Sequence, residues 1–255
     1  PRPSPRTNRT RRVPLAGQRL HDASTTAGER RKLPALLIMY TAQRDAVAEL
    51  MRCKVREPEE FEWQRQQRFA WREHDKAALA ETAGHALPYG FEFVGARRRL
   101  VPNAGTVRSF VFAVQAMAAW SCAVLAGPPG CGKTETMKEL ARLLGRFSLD
   151  LTCSSEITYA TVTSMLAGLC HSGAWGCFDR IGCLPEGVLS VVAQQLSAVL
   201  AAQRGGAWRG AWTDGKAFTL QPTTAFFVPP PPRTKWTRRV PHPVLIGHAA
   251  SLTQV

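Results

Sequence analysis

Acidic side chains are scarce in this sequence, and its cysteines are never paired at short spacing. The 255 residues include 19 Asp and Glu against 33 Lys and Arg, which gives a net charge of +14. No C-x-x-C pair occurs, and the six histidines show no metal-ligand spacing. This usage argues against a disulfide framework or a zinc site and favours reduced thiols in the cytosol. The seven cysteines are Cys53, Cys122, Cys131, Cys153, Cys170, Cys177 and Cys183.

The positive charge is concentrated at the two ends of the sequence. Residues 1–32 carry +7 and residues 204–255 carry +6, which leaves +1 for residues 33–203. Arginine-rich ends of this kind favour solvated, disordered tails, with weak nucleic-acid binding as the alternative. We therefore predict a basic tail over 1–32 and a Pro/Arg-rich tail over 229–255, on either side of a nearly neutral folded part.

The sequence also lacks a secretory signal, and only one segment resembles a membrane span. Phe110 to Gly127 is eighteen residues long, with Gln115 and Ser121 as its only polar side chains. The segment runs directly into a glycine-rich loop that needs an aqueous ligand. We therefore predict a buried helix over 106–119 followed by a strand over 121–126, and no membrane span.

The loop after that strand carries the strongest functional signal. Gly127-Pro-Pro-Gly-Cys-Gly-Lys-Thr134 fits the phosphate-binding pattern G-x-x-x-x-G-K-[ST] at every fixed position. The glycines allow a tight turn whose N–H groups point at a phosphate chain, and the following helix adds its dipole. Lys133 is expected to reach the β- and γ-phosphates, and the Thr134 hydroxyl to bind Mg²⁺.

The rest of the sequence predicts an α/β fold with a helical segment in front. Helices are predicted over 33–52, from Pro58 onward with Phe61, Trp63, Phe69 and Trp71 as packing groups, and over 74–86. A strand or extended connector follows at 89–95. From 121 onward the alternation of strands and helices predicts a parallel sheet covered by helices. The predicted elements are strand 121–126, helix 133–146, strand 147–153, helix 158–170, strand 174–178, helix 186–203 and a hairpin of 216–220 with 223–228, whose second arm is predicted to be a further core strand.

Asp179 is the candidate metal-binding carboxylate, because it ends the strand 174–178 and we expect that strand to neighbour the loop strand. In ATP-hydrolysing members of this class the next residue is usually a Glu that activates the attacking water. Arg180 stands there instead, and a guanidinium cannot accept a proton. The sequence therefore predicts no catalytic residue at this position.

Several motifs together resemble the dynein heavy chain. They are Tyr89-Gly-Phe-Glu-Phe-Val-Gly95, Gly127 to Thr136, Ser172 to Asp179 and Val188-Leu-Ser-Val-Val-Ala-Gln-Gln195, with weaker similarity around Phe61-Glu-Trp63. They match the end of the linker and the first AAA+ module of the motor ring, and the last run is more similar to axonemal than to cytoplasmic dyneins. The resemblance covers about 33–228.

The resemblance implies a fold, a ligand and a cellular setting. It implies an incomplete AAA+ P-loop core over 96–228, preceded by a helical linker segment over 33–95. The cofactors would be ATP and Mg²⁺, the partners other dynein chains and microtubules, and the location the cytoskeleton, with the ciliary axoneme expected. The expected nucleotide-binding residues are Gly127, Pro128, Pro129, Gly130, Cys131, Gly132, Lys133, Thr134 and Glu135, and the expected metal-binding residues are Thr134 and Asp179.

The sequence also departs from the family pattern, and this keeps an alternative open. Besides Arg180, the Phe-Asn-Arg that normally follows is Ile181-Gly-Cys183, and a proline run follows Val228 where a sensor segment is expected. These departures predict a dynein fragment that binds ATP·Mg²⁺ and hydrolyses it very slowly or not at all. The alternative is a non-catalytic interaction protein whose basic tails bind nucleic acid or acidic partners.

Overall fold

The computed structural model of the chain describes residues 17–19, 22, 24–74, 76–95, 99–125, 127–128, 130–212 and 215–229. The chain divides into two compact units. One consists of residues 1–89 and 93–107, and the other of residues 90–92 and 108–255. The predicted tail 229–255 lies outside the described residues except for Pro229, and so do residues 1–16 of the predicted N-terminal tail.

The first unit begins with a long helix, α1 (Ala27–Arg52). Its start is set by a capping box, in which the Thr26 side chain accepts from the Glu29 N–H and the Glu29 carboxylate accepts from the Thr26 N–H. The helix therefore starts six residues before the predicted Leu33, within the stretch expected to be a disordered tail. Pro34 lies inside the helix and not near its start.

A short helix and an antiparallel meander follow α1 in this unit. Helix α2 (Phe61–Gln64) is followed by β1 (Arg68–Arg72), β2 (Ala77–Thr82) and β3 (His85–Pro88), paired in the order β1-β2-β3. The helix predicted from Pro58 onward is therefore confirmed only over Phe61–Gln64, and the helix predicted over 74–86 is wrong. The stretch 77–82 is rich in Ala, Leu and Glu, which favour helix, but cross-strand pairing overrides that preference.

The aromatic residues of this segment are also less buried than predicted. Phe69 and Trp71 alternate on β1, where they are 56% and 57% exposed, and Phe61 is 61% exposed. The residues 89–95 form an extended connector without a strand.

The second unit contains a four-stranded parallel sheet with helices between its strands. Helix α3 (Ala104–Ala118) leads to β4 (Ala123–Val124), α4 (Lys133–Leu143) and β5 (Ser148–Thr152). Then follow α5 (Tyr159–Ser172), β6 (Trp175–Asp179), a 3₁₀ turn (Ile181–Cys183) and α6 (Glu186–Arg204). The last strands are β7 (Arg209–Ala211), β8 (Ala217–Thr219) and β9 (Ala225–Val228). The α/β fold with a parallel sheet is thus confirmed.

The sheet order is β4-β9-β6-β5, which corrects two predictions. β8 pairs with β7, and β9 lies in the main sheet, so 216–220 and 223–228 do not form a hairpin. β9 also separates β4 from β6, so the strand that ends at Asp179 does not neighbour the loop strand. β9 takes this position because all four of its residues are apolar and buried, as a strand covered on both faces requires.

The predicted helix over 106–119 and strand over 121–126 are confirmed, with bounds one or two residues away. Among the described residues, no helix has both the length and the apolar character needed to cross a bilayer. The core of the second unit lies between the sheet and helices α5 and α6, where Leu166, Leu196 and Phe226 are almost fully buried.

Candidate nucleotide-binding site

The glycine-rich loop connects the end of β4 to the start of α4. Gly130 and Gly132 have φ of +79° and +83°, in the left-handed region that favours glycine. At Gly127 an added Cβ would lie 2.9 Å from the Cys131 sulfur, so a side chain there would collide with the loop itself. Pro129 is outside the described residues. The described part of the loop therefore turns as tightly as a phosphate cradle requires.

The start of α4 leaves its first-turn N–H groups available to an anion. Gly132 is the N-cap residue and provides no side-chain hydrogen bond to the helix. Such N–H groups and the helix dipole together attract phosphate. The carboxylate of Glu135, a predicted nucleotide-binding residue, pairs with the Lys138 ammonium at 2.7 Å. Only the main chain of Glu135 is therefore suited to a phosphate, since its own negative charge is repulsive.

Lys133 folds back over the loop. Its Nζ donates to the carbonyl oxygens of Gly127 at 3.0 Å and Pro128 at 2.8 Å, and lies 3.7 Å from the Cys131 sulfur. These carbonyls hold the Lys133 ammonium group at the loop. The ammonium group can leave these neutral acceptors and bind a phosphate oxygen, because a hydrogen bond between two charged groups is stronger. Cys131 therefore contacts the lysine through its side chain, in addition to any contribution of its main chain.

Thr134 and Asp179, the predicted metal-binding residues, both influence the pKa of the Cys177 thiol. Burial raises the pKa of Cys177 to about 12, and the carboxylates of Asp150 and Asp179 add to the increase. The Thr134 side chain opposes this increase to a smaller extent. The thiol is therefore neutral at physiological pH.

Asp179 is held at the carboxyl edge of the sheet by its main chain. It pairs with Thr152 across β5 and β6, and its carbonyl oxygen accepts the Cys153 N–H at 2.9 Å. Its side chain is half-buried. A carboxylate and a hydroxyl are oxygen ligands of the kind that Mg²⁺ prefers, directly or through water.

Arg180 follows Asp179 in an unfavourable backbone conformation. Its φ is +54°, and its carbonyl oxygen accepts the Cys183 N–H that closes the 3₁₀ turn. The residue is exposed, while the next side chain, Ile181, is fully buried and anchors the turn. The guanidinium thus stands directly after the metal-binding candidate and offers no acceptor for a proton.

The structure adds two contacts that the sequence did not predict. The Lys138 ammonium bridges Glu135 on its own helix and Asp150 on β5, which ties α4 to the sheet. The Thr134 side chain also influences the pKa of the Cys177 thiol, which places the start of α4 near β6. The i, i+3 spacing of Glu135 and Lys138 in the sequence indicates the first of these ion pairs. The contacts between α4 and the sheet could not be predicted in this way, because they depend on the strand order.

The strand order, the glycine loop between β4 and α4 and the aspartate at the end of β6 together define a P-loop NTPase domain of the AAA+ type. Residues 89–245 match the family described as the hydrolytic ATP binding site of the dynein motor region. The chain belongs to the dynein heavy chain family.

Individual relatives agree with this assignment. The chain is 32% identical to the dynein gamma chain of the flagellar outer arm of Chlamydomonas reinhardtii over 80% of its own length. It is 34% identical to dynein axonemal heavy chain 5 of Rattus norvegicus over 78%, and 36% identical to dynein axonemal heavy chain 10 of Homo sapiens over 67%. It spans only 4%, 6% and 4% of the length of these relatives.

Proposed function

We propose that this chain binds ATP·Mg²⁺ at the loop Gly127–Thr134. The observation that carries the proposal is the lysine folded over a tight glycine loop at an uncapped helix start. The loop N–H groups and Lys133 would hold the phosphates. Thr134 would ligate the metal, and Asp179 would orient the waters around it.

The bound metal would neutralise phosphate charge. The chain's own residues would position the phosphate chain, and the glycines of the loop would keep the cradle free of side chains. Hydrolysis is expected to be very slow, because Arg180 replaces the residue that activates water. The interpretation that the site turns nucleotide over poorly rests on this substitution.

The binding test compares the full chain with Lys133→Ala, using Mg·ATP and Mg·ADP in a fluorescence or calorimetric titration. A hydrogen bond to a charged group contributes about 1.5–3 kcal/mol, so the substitution should weaken binding by about 10- to 100-fold. Lys32→Ala is the matched control, since Lys32 is an exposed residue of α1. Equal affinity of the Lys133→Ala variant and the wild type would contradict binding at this loop.

We further propose that the chain is part of an axonemal-type dynein motor, which associates with other dynein chains and microtubules. The similarity to flagellar and axonemal heavy chains supports this role. A tagged chain expressed from its own locus in ciliated cells should co-purify with axonemes and dynein subunits. Uniform distribution in the cytoplasm, without enrichment in axonemes, would contradict the role.

A further inference from the structure

Residues Gly90–Glu92 run along the C-terminal end of α4, the helix whose other end begins at the phosphate loop. The Gly90 N–H donates to the Leu144 carbonyl at 2.8 Å, and the Glu92 N–H donates to the Gly145 carbonyl at 2.9 Å. We call Gly90–Glu92 the clasp. It makes two main-chain hydrogen bonds to the residues that directly follow the helix.

The Glu92 side chain strengthens the same contact. Its carboxylate accepts the Phe147 N–H at 2.7 Å and lies 3.5 Å from the Arg146 guanidinium, whose side chain is only 13% exposed. Hydrogen bonds to an ionised carboxylate are stronger than those between neutral groups. The positive charge of Arg146 also offsets the repulsion between a carboxylate and the negative end of the helix dipole.

The approach of the clasp is close enough to require glycine. A Cβ added at Gly90 would lie 2.3 Å from the Gly145 carbonyl oxygen and 2.6 Å from the Arg146 side chain. Phe91, next in the chain, has φ of +55° although it is not glycine. Such a conformation is unfavourable for a residue with a side chain and persists only when neighbouring contacts impose it.

Helix α4 connects the clasp to the loop as a rigid element. Its C-terminus forms a complete Schellman motif, with Gly145 at φ of +62°, the Arg146 N–H on the Ala141 carbonyl and the Gly145 N–H on the Arg142 carbonyl. Met137, Leu140 and Ala141 are buried, so the helix is also fixed along its length. A shift at one end of such a helix is carried to the other.

We propose that the clasp is a positioning element for α4, so that clasp closure and nucleotide binding at the loop stabilise each other. This proposal rests on the proposed binding of nucleotide. Nucleotide fixes the N-terminal end of the helix, which favours the helix position that the clasp holds. By linkage, opening the clasp must then weaken nucleotide binding by the same factor.

Two clasp variants and one measurement on the wild type test the coupling. Gly90→Ala forces a Cβ into the Gly145 carbonyl, and Glu92→Gln removes the charge while keeping an acceptor for the Phe147 N–H. The matched controls are Gly187→Ala, where nothing lies within 4 Å of the added Cβ, and Glu59→Gln on an exposed residue. Hydrogen exchange of the Glu92 amide is followed in the wild-type chain with and without Mg·ADP.

We expect the Kd for Mg·ADP to rise about fivefold or more in Gly90→Ala, and to a smaller extent in Glu92→Gln, with no change in either control. Mg·ADP should also slow exchange at Glu92 in the wild type, a result that does not depend on whether a variant folds. If the clasp only stabilises the fold, the clasp substitutions would lower the stability of the chain and leave the Kd for Mg·ADP unchanged.

Variants that bind Mg·ADP as tightly as the wild type, or wild-type exchange at Glu92 that does not respond to nucleotide, would overturn the coupling alone. A wild-type chain that binds no nucleotide would overturn the proposed binding function together with it. The two failures are therefore distinguishable by the wild-type titration.

Discussion

Arg180 is the residue on which the proposed slow turnover rests. It lies directly after Asp179, where related ATPases place a glutamate, and its left-handed φ of +54° fixes the main chain at the start of the 3₁₀ turn. A base at this position deprotonates and orients the water that attacks the γ-phosphate. Without it, the proposed site would still hold nucleotide, because the loop, Lys133 and the proposed metal-binding residues do not depend on a base at residue 180.

We predict that Arg180→Glu raises the rate of ATP hydrolysis without weakening ATP binding. Positioned general bases contribute about 10²–10⁴-fold, and a gain of at least tenfold over the wild type is expected even where other catalytic groups are lacking. Phosphate release under saturating ATP measures the gain, and Arg180→Gln controls for loss of the positive charge. Equal turnover in the glutamate and glutamine variants would show that the missing base does not limit this site.

The buried thiols predict a loss of stability at alkaline pH. Burial raises the pKa values of Cys122, Cys170 and Cys177 to about 12 and that of Cys153 to about 11. An unfolded cysteine ionises near pH 8.5, so the unfolded chain releases these protons first as the pH rises. The contribution of the buried thiols to the free energy of unfolding is therefore complete below the pKa of the unfolded cysteines. It is lost as the pH rises towards the pKa values of the folded state.

Urea unfolding between pH 8 and pH 10.5 tests this dependence. Each thiol contributes a slope of up to about 1.4 kcal/mol per pH unit to the free energy of unfolding. Cys170→Ala should make the decline shallower by one such contribution, whereas Cys183→Ala, at an exposed position, should leave the slope unchanged. A slope that is the same in the wild type and in Cys170→Ala would contradict the buried, neutral thiol.

At the scale of elements, the turn between α5 and β6 determines where β9 enters the sheet. Gly173 ends α5 with φ of +74°, and its carbonyl accepts the Thr223 hydroxyl at 3.1 Å. The Trp175 indole N–H donates to the Thr223 carbonyl at 3.0 Å. These bonds join the turn before β6 to the turn before β9, and the two strands then run parallel as neighbours.

We predict that Gly173→Ala destabilises the fold by about 2–5 kcal/mol. The left-handed conformation costs a side-chain-bearing residue about 1–2 kcal/mol, and overpacking adds about 1–3 kcal/mol. The overpacking arises because the new Cβ would lie 2.4 Å from the Thr223 hydroxyl oxygen. Urea midpoints measure the change.

Gly168→Ala in the same helix is the control. Nothing lies within 4 Å of its added Cβ, so the substitution should stabilise the helix by up to about 1 kcal/mol. If both substitutions had the same effect, the turn would have no special role.

The sequence predicts the elements around the nucleotide site well because their signals are local. The strand before the glycine loop, α4, α5, β6 and α6 all lie within a few residues of their predicted bounds. The meander β1–β3 was missed although the segment Arg68 to Arg72 contains Phe69 and Trp71, and aromatic residues favour strands. Its tight turn is formed by Ala83 and Gly84, both with positive φ, and not by a typical Asn-Gly pair.

The strand order could not be read from local patterns. β9 is a fully apolar strand in both interpretations, and only its pairing partners decide whether it closes a hairpin or enters the sheet between β4 and β6. The proximity of Thr134 to Cys177 follows from that order, because it brings residues 43 positions apart in the chain together. Non-local strand pairing therefore explains two wrong predictions: the hairpin of 216–220 with 223–228, and the expected pairing of the strand that ends at Asp179 with the loop strand.

At the scale of the whole molecule, the charge distribution leaves the alternative function testable. The basic excess lies in 1–32 and 204–255, and most of these residues are outside the described part of the chain. Binding of nucleic acid through these ends would be strongly salt-dependent, since phosphate contacts release counterions. Nothing in the geometry of the loop, α4 or β6 requires such a partner.

The division of the chain into two units makes a prediction about where nucleotide stabilises it. Mg·ADP at 100 times its Kd should stabilise the folded state that binds it by about 2.7 kcal/mol, equivalent to about 100-fold slower exchange of amides that open by global unfolding. We expect this slowing for amides of β6 and β9, which share a sheet with the loop strand, and no such effect for β2 in the other unit. At the same ligand concentration, Lys133→Ala should reduce the slowing to about 2- to 10-fold, because it raises the Kd about 10- to 100-fold. Equal slowing in β2 and β9 would mean that the two units unfold as one cooperative structure, and slowing in β2 alone would place the nucleotide elsewhere.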